Sequence, residues 1–150
     1  MQKDELIRTA RSLAQPSATA ASEYSRKREA LAAEINGVMS KRQDLDALIG
    51  PGNLAMMEDN HRNHARFMES MFAAYDPAVL VNTVLWVFRA YRSHGFRLAY
   101  WPAQLDTWVE ILRTGLSEKA FKEIYPFYNW MLINQAAFTE LSEESSQPRS

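Results

Sequence analysis

The chain contains no cysteine, which excludes disulfides, thiol catalysis, thiolate metal sites and thioether-linked chromophores. It also lacks an excess of either charge, with 17 basic and 18 acidic side chains and a net charge of -1. Nucleic-acid binding draws on a surplus of basic charge on one face, so the composition offers no case for it. Long apolar runs are missing as well. The longest, Ala78–Phe88, is interrupted by Asn82 and Thr83 and is too short to span a bilayer. The N-terminal stretch MQKDELIRTARSLAQ carries charges where a signal peptide has its apolar core. These absences predict a cytoplasmic protein that neither inserts into a membrane nor binds nucleic acid.

Strand signals are absent too: no run alternates apolar with polar residues, and no Asn-Gly turn or internal repeat occurs. Nor is there a glycine-rich phosphate loop, a nucleophile elbow or a Ser/His/Asp spacing. What remains is a chain of 150 residues, 47% apolar and 23% charged. That is the size and composition of one globular domain with a sizeable core. Its pattern is helical throughout.

The first 49 residues differ from the rest, since no tryptophan or phenylalanine occurs before Phe67. From Tyr24 onward, core-type positions step by four and three: Tyr24, Arg28, Leu31, Ile35, Val38, Arg42, Leu45, Ile49. This is a heptad seam. It suits either a long amphipathic helix lying on its own domain or a coiled coil joining a homodimer, and arginines at a seam position favour a two-stranded contact. Gly37 weakens such a helix by roughly 1 kcal/mol relative to alanine. Pro16 separates a shorter helical piece upstream, with Ser17 or Thr19 as the cap. Gly50-Pro51-Gly52 marks a boundary that a helix does not cross, predicting an N-terminal arm over 1–49 and a helical core over 50–141.

Within that core, Asn53 and Asp76 are placed as helix caps, with Pro77 in the first helical position. The helix from Pro77 to about Ser93 reads as apolar all round, so it is expected to be central and buried with Trp86 in its middle. Gly95 ends it. Pro102 opens a further helix to Gly115, Ser117 caps a short one to Ile124, and Pro126 restarts a last one. The polar tail Ser142–Ser150 has no periodicity and is expected to be disordered.

The most informative segment is Leu54–Tyr75. Leu54, Met57, His61, His64, Met68, Met71 and Tyr75 form one helical face, and two histidines occupy its centre. A polar ring on a buried stripe needs a hydrogen-bond partner, a metal or a ligand. Glu58-x-x-His61 has the spacing of helical di-iron carboxylate sites. The second half of that constellation is missing, because His94 follows Tyr91 rather than a glutamate. Haem is an alternative cofactor, with His61 or His64 set against His94 and with Met57 and Met68 as further ligands. A Glu58–His61 acid–base pair is the corresponding reading as a small enzyme. Arg89 and Arg92, followed by Arg97 and Tyr100, supply planar forks suited to carboxylate or phosphate. His61, His64, Glu58, Arg89, Arg92 and Tyr100 are thus the candidate ligand-binding residues.

The stretch DPAVLVNTVLWVFRAYRSHGF, Asp76–Phe96, combines an Asp-Pro start, a mid-helix tryptophan and a closing Arg/His-Gly-aromatic turn. In this it resembles helical sensor domains of bacterial regulators, including the non-haem globin-like domains of stressosome proteins and the helical caps of cobalamin-binding regulators. The resemblance covers residues 61–116. It implies an all-α, globin-like or orthogonal bundle of about five to six helices that receives a signal and passes it on. The Asp-x-His-x-x-Gly cobalamin loop and a Glu-His pair after the tryptophan are both absent, so only the architecture carries over. The combined expectation is a non-enzymatic regulatory module that works through a protein partner. The alternative is a small-molecule or haem sensor using the His61/His64 face.

Overall fold

The computed structural model describes residues 1–146, with side chains through residue 143. Among the described residues it is all-helical, with eight helices: α1 (Lys3–Ala10), α2 (Ala18–Ser40), α3 (Leu45–Ile49), α4 (Leu54–Ala73), α5 (Pro77–Ser93), α6 (Tyr100–Gly115), α7 (Glu118–Ile133) and α8 (Gln135–Ser146). None is long and apolar enough to cross a membrane.

Local chemistry explains most boundaries. Ser17 and Ser117 each accept a backbone N–H three residues on, at Ala20 and Ala120. Asp76 accepts from Ala78 and Val79, with Pro77 leading the helix. Asp76→Ala should therefore lower stability by about 1 kcal/mol, read as a shift in the denaturant midpoint. Asn53 occupies the expected cap position but does not cap α4. Its amide donates instead to the carbonyls of Ile49 and His94, tying the glycine turn to the end of α5. Gly50 and Gly95 meet at this junction, each with positive φ. A β-carbon on Gly50 would lie 3.3 Å from the Gly95 carbonyl oxygen.

Several breaks fall elsewhere than the sequence indicates. The heptad seam does not continue to Ile49 as one helix, because α2 stops at Ser40 and Arg42 turns to pair with Asp44 at 2.8 Å. Pro126 does not restart a helix. It sits inside α7, and the chain breaks instead at Asn134. Residues Ser142–Ser146, expected to be disordered, extend α8, and Ser142 is buried. The remainder of the expected tail lies outside the described residues.

α2 is the spine of the bundle. It packs on α4, α6 and α7, and Tyr24, Leu31, Ile35 and Met39 join the same core as the later helices. The seam that suggested a homodimer is thus used within the chain, except at Val38, which is exposed, and at Arg42, which pairs with Asp44 at the surface. Two cross-bonded caps hold α2 to α7. Glu123 accepts from the backbone and hydroxyl of Ser17 at 2.7 and 3.0 Å, and Glu23 accepts from the same groups of Ser117 at 2.6 and 2.7 Å. The bonds from Ser117 hold the Glu23 carboxyl down to about 2. Gly115 fits the close approach of α2, since a β-carbon there would sit 2.7 Å from Leu31.

α5 is not the central helix. Its main neighbours are α1 and α8, and Trp86, expected at the centre of the core, is 60% exposed. Leu80, Val81, Leu85 and Phe88 are buried. The second apolar face of α5 is instead one wall of a cleft.

Candidate functional site

The histidine face of α4 lies inward, except that Leu54 at its start is exposed. His61 is fully buried. Its Nδ1 meets the Asn36 side-chain oxygen at 2.6 Å, and its Nε2 meets the Tyr100 hydroxyl at 3.0 Å. Tyr100 also reaches the Asn60 side chain at 2.8 Å. Burial pushes His61 down to about 3, helped by neighbouring His64 and Arg62, so the ring is neutral at pH 7. A neutral imidazole carries one N–H. All three contacts are therefore satisfied together when one of the asparagines turns its amide nitrogen inward, with Tyr100 passing a single hydroxyl proton along the run.

Glu58 forms no bond to His61, whose partners are amide and phenol groups. The expected acid–base pair is thus not assembled. Nor does an iron-bound imidazole fit at His61, because both ring nitrogens are engaged. His64 is half-buried, with Nε2 at 2.8 Å from the Tyr128 hydroxyl and its ring 5.1 Å from that of Trp108. Burial lowers it to about 4. Only its Nδ1 remains for a ligand. No group of three metal-ligating side chains occurs among the described residues. His61 therefore offers no free ring nitrogen to a haem iron, and His64 offers one.

Between α4 and α5 opens a cleft of about 260 Å³. Its sides are Asn60, His64, Phe67 and Met68 from α4, and Thr83, Val84, Val87 and Phe88 from α5. Trp101, Gln104 and Leu105 of α6 form the floor, Met131 and Phe138 close one end, and Trp86 stands at the rim. The two walls are separately anchored, α4 on α2 and α5 on α1 and α8, which keeps them apart. Asn60, Asn63, His64, Thr83, Gln104 and Gln135 place polar groups in a lining that is otherwise apolar or aromatic, the usual make-up of a small-molecule site.

Of the candidates from sequence, His64 lines this cleft, whereas His61 and Tyr100 connect to it through Asn60. Arg92 is drawn away by Glu143 at 2.7 Å, and Arg89 and Glu58 are not in the lining. Sequence reasoning missed Gln104, Asn60, Phe67 and Thr83. The available signal was the second apolar face of α5, which a single buried helix explains equally well. A comparison with family models, curated proteins and solved structures finds no match to the chain.

Proposed function

We propose that this chain is a non-enzymatic regulatory module that senses a small molecule bound in the α4–α5 cleft, in the manner of a globin-like sensor domain. The observation that carries the reading is the cleft itself: largely apolar walls on separately anchored helices, with a few polar side chains, Gln104, Asn60 and His64 among them, set into the lining. Catalysis has less support in the lining, because the side-chain partner of His64 is the Tyr128 hydroxyl rather than a carboxylate that would orient it.

Binding is read out at the rim. Trp86 flanks the opening and is mostly exposed, so a ligand that repositions it alters the surface offered to a protein partner or a second copy. Because the α2 seam is turned inward, self-association would use this α5 face. The test is a nuclear magnetic resonance titration of the full chain with ethylbenzene and with indole. The expected result is saturable shifts confined to cleft residues such as Thr83, Trp101 and Gln104. They should be lost in Val84→Trp, which fills the cleft. The absence of any saturable shift at millimolar probe would overturn the proposal.

A further inference from the structure

The geometry points to an uncharged ligand for this cleft, with an apolar body and one amide or lactam edge held by Gln104. This rests on the reading of the cleft as a binding site and specifies what it selects. Gln104 lies on α6 in the cleft floor and is only 2% exposed. Among the described residues no group hydrogen-bonds to either its side-chain oxygen or its nitrogen. Neither atom is sealed from the cleft, since the Trp108 indole N–H is the one buried side-chain group without a partner among the described residues, but a ligand that shut the amide from water without pairing it would bear the cost of an unmade hydrogen bond.

Both atoms of Gln104 stand open on the same cavity, one an acceptor and the other a donor. The chemical edge that satisfies both at once carries a donor beside an acceptor, as a primary amide or a lactam does. Asn60, across the cleft on α4, adds whichever amide atom its bond to Tyr100 leaves over.

Charge decides against the alternatives. Among the described residues no lysine, arginine, aspartate or glutamate lines the cleft, and burial keeps His64 neutral. A carboxylate or ammonium head group would enter without a counter-ion, and burying an unpaired charge is strongly unfavourable. A plain hydrocarbon enters freely but leaves Gln104 unsatisfied. Phe67, Val84, Phe88 and Leu105 supply the apolar contact that all three kinds of molecule share, so the head group sets the order of affinity.

The test compares three probes of similar shape on the full chain by calorimetry and by nuclear magnetic resonance: phenylacetamide, phenylacetate and ethylbenzene. Phenylacetamide is expected to bind about tenfold more tightly than either of the others and to shift the Gln104 side-chain amide resonances. In Gln104→Met its advantage over ethylbenzene should disappear. That variant removes an amide that has no partner among the described residues and is expected to fold about as stably. The ranking on the unaltered protein is read independently of it. Equal affinities for all three probes, or tightest binding of phenylacetate, would overturn amide recognition while leaving the cleft a binding site. Failure of every probe to bind would overturn the site reading beneath it.

Discussion

Replacing Trp108 with alanine is expected to lower stability by about 3–5 kcal/mol, the largest effect of any single substitution considered. Trp108 is completely buried, and its indole packs beside His61 and His64, with ring centroids 6.3 and 5.1 Å away. Truncation leaves a large cavity and removes the surface that positions His64 toward Tyr128. Its indole N–H has no hydrogen-bond partner among the described residues, so Trp108→Phe should cost much less, under about 2 kcal/mol. Trp86→Ala should stay within about 0.5 kcal/mol, as surface substitutions usually do. Denaturant unfolding of the three variants checks the ordering. Equal losses at positions 86 and 108 would mean that α5 is packed differently.

Acid should unfold this protein earlier than its carboxylates alone would. His61 and His64 are held at about 3 and about 4 in the folded chain, against about 6.5 when unfolded. Between these values the unfolded chain binds protons that the folded chain refuses. Stability is therefore full above about pH 6.5 and falls as the pH drops toward the folded values. Each unit of displacement corresponds to about 1.4 kcal/mol, so the pair amounts to several kcal/mol. His61 carries the larger share because it is fully enclosed, while half-buried His64 retains an edge on the cleft. Most of the loss comes above the range where ordinary carboxylates titrate, near 4. The melting temperature should fall by about 10 °C or more between pH 7 and pH 4. His61→Gln should lower stability at pH 7 by about 1–3 kcal/mol and flatten this pH dependence. A melting temperature constant over that interval would place both rings in water.

The helical character and most caps were legible because they depend on neighbours in sequence. Ser17, Asp76 and Ser117 act within one turn of themselves, and the Met57–His61–Met68 stripe repeats at the helical period. What could not be read was which apolar face meets which. Tyr24, Leu31 and Ile35 have the same heptad spacing whether they meet a second chain or α4, α6 and α7. The all-round apolar α5 suggested a central helix, yet one of its faces lines an opening. His61 stands out in the sequence as a polar group needing partners, but Asn36 and Tyr100 come from 25 and 39 residues away, and no local pattern announces them. Gln104 was silent for the same reason. A glutamine beside Leu105 is ordinary on a half-buried helix, and only the tertiary fold turns it into the floor of a cleft.

The most direct test of the account is a crystal structure of the protein pressurised with xenon, which enters apolar cavities without needing polar contacts. A xenon site is expected between α4 and α5, in contact with Phe67, Val84, Leu105 and Phe138, with the helices no closer than in the gas-free crystal. A structure in which α4 and α5 close on each other, with Trp86 folded over the gap and no xenon between them, would contradict it.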